Sequence, residues 1–368
     1  MTRSTNIDAL RGVAILAVIL RHYIYDGGSS EWLGLPFVIE QIARFGWAGV
    51  DLFFVMSAFL LTRSLLRRRG EEGVALIFYR RRLLRTMPMY LCILAAAAVL
   101  APAFSRPSWL FDNQAPLWVY ASFLQNFWLG LGCWRGAFLA PTWSLAAEEH
   151  VYLILPLIVL HLPRRDIFRV ALAFILLSPL IRLAVIFGVG DTANYAWTIC
   201  RLDSFGWGML IALAPCLEPR VKTRLIFGWY VAAVMGVAWL WLQLTSRDLM
   251  DSFTITASTV LATGIVAVFA TRGPAAHPTL LTRGLAFVGE RCFSIYLLHI
   301  PVFGLMALAF GRAVPNIVDL FSALSAATAF VATIALATLT YRFVERPFID
   351  YGDRYVTYDA VKAAARPA

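Results

Sequence analysis

The sequence predicts an all-α, polytopic helical membrane protein of about ten transmembrane helices, and three observations carry that reading. The chain of 368 residues is 60% hydrophobic and 14% aromatic with a mean hydropathy of +0.71, too apolar for a soluble protein of this length. Its apolar runs are long and continuous, where a membrane barrel would show ten-residue alternation. Lipid offers no partner to a backbone N–H or C=O, so helices of about 20 residues meet the length and hydrogen-bonding demands together.

The candidate spans, in order, are 7–25, 45–62, 86–105, 141–162, 168–188, 196–214, 225–244, 253–271, 285–310 and 318–341. The first is apolar from the start but runs on into Arg21 and His22 without a small-x-small cleavage site, so it reads as a retained span. With the N-terminus inside, 22 of the 32 Lys and Arg fall in cytoplasmic segments or, for Arg169, at the cytoplasmic edge of a span, including eight between Arg63 and Arg85. This is the positive-inside asymmetry; it predicts both termini in the cytoplasm and explains the net charge of +10 without a nucleic-acid partner. Residues 1–345 form one transmembrane domain and 346–368 a short cytoplasmic tail. The longest connection, 106–140, is apolar in its second half and suggests an interfacial or re-entrant helix. Cys92, Cys133, Cys200, Cys216 and Cys292 are far apart with no metal-ligand spacing; free thiols are expected, with Cys133 and Cys200 the one conceivable pair.

An ionisable group inside hydrocarbon costs about 2.5 kcal/mol or more, so its retention points to function. The first span keeps Asp8, Arg11, Arg21 and His22. Eleven helical steps separate Arg11 from His22, which puts them on one face roughly 16 Å apart. The bland alternative has Arg11 snorkelling to one headgroup layer and His22 marking the other. Glu148, Glu149 and His150 open the fourth span; consecutive residues fan about 100° apart, so at most two can face one cavity. Arg82 and Arg85 share a face where the third span begins, and such guanidiniums bind phosphate bidentately. Arg201 and Asp203 are too close in sequence to pair along one helix face, so each should find a partner on another span. Glu345-Arg346-Pro347 reads as a charged stop at the headgroups. No GxSxG, HExxH, P-loop or Rossmann fingerprint is present, and no metal is expected.

Taken in order, these segments resemble the acyltransferase 3 family of membrane-embedded O-acyltransferases. The resemblance rests on Asp8-Ala9-Leu10-Arg11-Gly12 with His22, on Gly49-Val50-Asp51 through Ser57, on Arg82 with Arg85, on Trp143-Ser144-Leu145 with Glu148-Glu149, on Arg201-Leu202-Asp203, on Ser294 through His299, and on Glu345-Arg346-Pro347. The chain departs from the family pattern at Ala58, where Gly is usual, and at His150-Val151, where Gln-Phe is usual. The likeness implies transfer of an acyl group, commonly acetyl, from cytosolic acyl-CoA (acetyl-CoA in the commonest case) to a hydroxyl of a carbohydrate, glycolipid or glycosylated small molecule. It implies His22, Glu148 and Glu149 as catalytic residues, Arg11, Arg82 and Arg85 at the donor, and Asp51, Trp143 and Ser144 at the substrate. A bacterial cytoplasmic membrane, a lipid environment and glycan-assembly partner proteins follow from the same likeness. Buried charges in aromatic-rich spans also suit a transporter or flippase for a glycolipid or polar small molecule, which would consume no acyl-CoA.

Overall fold

A computed structural model describes residues 5–27, 37–104, 108–133, 136–216, 252–271 and 278–356, with single positions at 228, 234 and 236. Its helices are α1 (Thr5–Leu20), α2 (Phe37–Arg44), α3 (Ala48–Arg67), α4 (Val74–Leu100), α5 (Leu117–Ala121), α6 (Gln125–Gly130), α7 (Trp143–His161) and α8 (Arg164–Gly188). There follow α9 (Asp191–Ala196), α10 (Leu202–Leu213), α11 (Ser252–Thr271), α12 (Leu280–Glu290), α13 (Cys292–Ala309), α14 (Leu320–Thr340) and α15 (Arg346–Tyr355). No strand occurs among the described residues. Two of the helices are extended by π turns, Arg21–Tyr25 after α1 and Tyr341–Glu345 after α14.

Six helical stretches among the described residues are long and apolar enough to cross a membrane: Ile39–Arg67, Val74–Ala103, Ala140–His161, Arg164–Gly188, Cys292–Ala309 and Leu320–Tyr355. The chain is an integral membrane protein of helical construction. The expected ten is thus not confirmed among the described residues. Helix α1 has 16 residues and carries Asp8 and Arg11, α10 has 12 residues, and all but three residues of the candidate span 225–244 lie outside the described residues. The apolar stretch of α11, 254–270, is one residue short of such a span at 17 residues. The most apolar stretch, α8, buries little of itself and leaves Leu176, Leu177, Leu180 and Phe187 outward, as a helix bathed in lipid does.

Small residues set the closest helix approaches. A Cβ added at Gly12 would run into the backbone of Leu285, and one at Gly289 into that of Asp8, so α1 and α12 touch main chain to main chain. Gly49 brings α3 onto α1 at Ala14 in the same way. Ala58, the family departure, is buried against Gly208 of α10. Capping is local and regular where it can be: Asp319 accepts from the Ser322 N–H at 2.7 Å while Ser322 Oγ accepts from the Asp319 N–H at 3.0 Å, a capping box that opens α14.

The bundle closes around two buried ion pairs. Arg201 donates to Asp51 at 2.5 Å, and Ser258 donates to the second oxygen of that carboxylate at 2.7 Å. Arg182 donates to Asp203 at 2.7 Å and to the Cys200 carbonyl at 2.5 Å. Arg201 and Asp203 do thus pair with other elements, α3 and α8, as their spacing requires. Glu345 is not at a solvated stop: it is buried and accepts from Ser294 of α13. The connection at 106–140 resolves into the short helices α5 and α6, fastened by Gln125 to Tyr90 and to the Thr142 carbonyl. Beyond residue 345, α15 packs back on α4, where Arg81 donates to the Val356 carbonyl at 3.0 Å. Cys133 and Cys200 are both free thiols, the first exposed and the second buried.

Candidate active site

Helix α1 and its π turn serve two cavities. The first, about 100 Å³, is lined by Arg11 of α1, Ser57 of α3, Arg82, Arg85 and Thr86 of α4, Ser144, Glu148 and Tyr152 of α7, and Cys292 and Tyr296 of α13. The second, about 750 Å³, is lined by Arg21, His22 and Asp26 of the π turn, by Asp112 and Asp191, and by the rings of Trp47, Trp109, Trp143, Tyr195 and Tyr296. Val50 and Tyr296 are the lining residues common to both. They form the wall between the arginine cavity and the histidine cavity.

In the arginine cavity the cations gather because α1, α4 and α7 meet there. Arg11 is steadied by Asp8 one turn earlier, at 3.0 Å. Arg82 lies over the Tyr152 ring with its guanidinium carbon 5.1 Å from the ring centre, a cation–π contact that fixes its plane. Glu148 is the carboxylate of this cavity, accepting from Tyr152 at 2.7 Å and from Ser57 at 3.1 Å. The three ionisable residues of α7 do fan apart. Glu149 does not line this cavity and turns toward Thr86, while His150 pairs with Thr198 at 2.7 Å and stacks on Phe127.

The histidine cavity is organised by the π turn. Its i to i+5 bond, from the Asp26 N–H to the Arg21 carbonyl at 2.9 Å, widens the last turn. His22 Nδ1 stands 2.9 Å from Asp26 Oδ2, and Arg21 contacts the other oxygen at 2.9 Å. Burial pushes the Asp26 carboxyl up, but the bond from His22 and the charge of Arg21 outweigh it and hold Asp26 below the usual carboxylate value. An ionised Asp26 only accepts, so Nδ1 carries a proton, and in the neutral ring the lone pair is then on Nε2. Tyr23, inside the same turn, donates to the His299 carbonyl at 2.9 Å and stacks on Phe303 at 3.9 Å, which anchors the turn to α13. His299 lies with its ring centre 5.2 Å from that of His22 and its Nδ1 2.7 Å from the Tyr296 carbonyl, to which it donates.

The structure sorts the sequence-derived residues into groups. Arg11, Arg82, Arg85, Glu148 and Ser144 share the arginine cavity; His22 and Trp143 share the histidine cavity. Ser144 Oγ is 2.7 Å from the Tyr296 hydroxyl, at the wall, and that hydroxyl donates to the Pro141 carbonyl at 2.8 Å. Asp51 lines neither cavity; it is fully buried and committed to Arg201 and Ser258. It reaches the site at one remove, because the Arg201 guanidinium lies 5.2 Å from the Tyr195 ring and 5.9 Å from the Trp143 ring. Sequence reasoning passed over Asp26, Asp112 and Asp191, and took Tyr296 only as part of the block Ser294 through His299, with no role. Of the three acids, Asp26 alone carried a readable signal, the i, i+4 spacing from His22.

Arginines and a histidine open into adjoining cavities within an apolar helical bundle, a candidate site inside a membrane-embedded protein. The chain belongs to the acyltransferase 3 family: the family's model, described as an acyltransferase domain, matches residues 4–342. It is 27% identical over 365 residues to a Komagataeibacter xylinus protein named provisionally as a membrane-bound transacylase, BcsY, covering 96% of this chain and 84% of that one. It is 24% identical over 371 residues to the O-acetyltransferase OatA of Staphylococcus aureus, covering 93% of this chain and 56% of OatA. The chain thus spans little more than half the length of OatA. No solved structure matches it. Family membership makes the protein an acyltransferase and sets aside the transporter reading.

Proposed function

We propose that this acyltransferase moves an acyl group, acetyl in the first instance, from cytosolic acyl-CoA in the arginine cavity to a hydroxyl of a carbohydrate, glycolipid or glycosylated small molecule in the histidine cavity. The observation that carries the reading is that one helical segment opens into both cavities, Arg11 into one and His22 into the other. Three guanidiniums suit the phosphates of the donor, since Arg binds phosphate through paired N–H donors. The wider cavity suits a sugar: its rings offer apolar faces and its carboxylates accept from hydroxyls. The name of OatA, an O-acetyltransferase, agrees with acetyl as the cargo and with oxygen as the acceptor.

In this reading His22 Nε2 takes the proton of the acceptor hydroxyl as its oxygen bonds to the thioester carbon, and returns a proton to the departing thiolate sulfur. Glu148 balances the three arginines and, through Tyr152 and Ser57, holds the cavity wall in register. Ser144 and Trp143 line the passage on either side of the Tyr296 wall, and Asp51 stiffens it from behind through Arg201. Glu149 lies behind Arg82, turned toward Thr86. The enzyme works in a bacterial cytoplasmic membrane with both termini inside, alongside glycan-assembly partners.

The test uses purified protein, acetyl-CoA and a glycan extract from the cells that make it. Glycan-dependent release of CoA, abolished in His22→Ala with the fold intact, supports the reading. Release that persists in that variant, or no release from the unaltered protein, removes it.

A further inference from the structure

We infer that Asp26 is the positioning residue for His22, holding its imidazole with Nδ1–H inward and Nε2 toward the acceptor. The inference rests on the transfer reading above, and it gives the orienting role to a carboxylate on the same turn. Glu148 and Glu149, the acids of α7, are not in the wall of the histidine cavity, whereas Asp26 is both in that wall and 2.9 Å from Nδ1.

Three features make this more than a neighbouring acid. The π turn is the local device: the main-chain bond from Asp26 to Arg21 spans five residues and presents Asp26 beneath His22. Such turns recur at functional sites because they re-aim a side chain without ending the helix. Arg21 holds the carboxylate oxygen that His22 does not use, and is itself tied by a 2.9 Å bond to the Arg44 carbonyl, so the acid cannot swing away freely. Tyr23 pins the turn to α13 through His299 and Phe303. The logic is that of a base oriented by a third group, which selects one tautomer and stabilises the imidazolium that forms when the base takes a proton.

The charge environment is defined. His22 is faced by Asp26 and Arg21 on its own turn, by His299 on α13, and around the cavity by Asp112, Asp191, Tyr195 and Tyr296. An amide at position 26 could donate its N–H to Nδ1 and so drive the proton to Nε2, the wrong nitrogen for a base.

The experiment compares the unaltered protein with Asp26→Asn and Asp26→Glu in the acetyl-CoA and glycan-extract assay, across pH 5 to 9. Asp26→Asn should lose about 100-fold or more in kcat, a loss of the kind that a misoriented base produces. Its KM for acetyl-CoA should stay within about threefold, and the acid limb of its kcat/KM profile should move to lower pH, because removing an adjacent anion disfavours the protonated ring. Asp26→Glu should recover at least tenfold of the loss. A kcat in Asp26→Asn within about threefold of the unaltered protein, an unmoved acid limb, a loss that appears in donor KM instead, or no recovery in Asp26→Glu overturns the inference while leaving the transfer reading standing. If the unaltered protein releases no CoA with glycan, the reading fails and takes this inference with it.

Discussion

Arg11 and His22 stand on one unbroken helical segment and open into different cavities that meet at Val50 and Tyr296. A straight helix would carry both side chains along one face at about 100° per residue. The π turn at Arg21–Tyr25 adjusts that register at its far end, where His22 meets Asp26. The protein keeps a guanidinium and an imidazole at fixed separation without needing a loop, which in lipid would leave backbone groups unsatisfied.

The arginines of the first cavity should act on the donor. Arg85→Ala should raise the KM for acetyl-CoA about tenfold or more with kcat little changed, the pattern of lost uniform binding. Steady-state kinetics at saturating acceptor checks this, and an unchanged donor KM would return Arg85 to topology alone.

The two glutamates of α7 should separate. Glu148 accepts from Tyr152 and Ser57 inside the arginine cavity, and Glu149 lies outside that wall. Glu148→Gln should lower turnover about tenfold or more, and Glu149→Gln should lose clearly less. Parallel kcat measurements decide it; equal losses would contradict the assignment.

The Asp51–Arg201 pair should behave as a buried ion pair. Removing one partner leaves a charge without compensation, at a cost of about 3 to 5 kcal/mol, whereas replacing both by apolar groups is far milder. Arg201→Met should therefore lower Tm in detergent more than Asp51→Leu with Arg201→Met together. A single variant as stable as the unaltered protein would mean that the pair carries no structural load.

How much of this was legible in the residues differs from part to part. The helical membrane class followed from hydropathy, because lipid permits so few backbone solutions. The partners of Arg201 and Asp203 were foreseeable in kind, since i, i+2 residues cannot pair, but not in name: Asp51 and Arg182 come from distant helices. The grouping of Arg11 with Arg82, Arg85 and Glu148 depends on how α1, α4 and α7 pack, which no local pattern encodes. The count of about ten is not confirmed at short or charged helices such as α1 and α10, where burial against protein relaxes the length and polarity that lipid demands. The role of Tyr296 was hidden because a wall between cavities exists only once both cavities do.

In the proposed reaction, donor and acceptor meet from opposite cavities at the Tyr296 wall. Proteoliposomes with glycan extract trapped in the lumen and labelled acetyl-CoA supplied only outside test it most directly. Label should reach the luminal glycan with the unaltered protein and not with His22→Ala. Label that appears only when acetyl-CoA and glycan share one side of the membrane would contradict it.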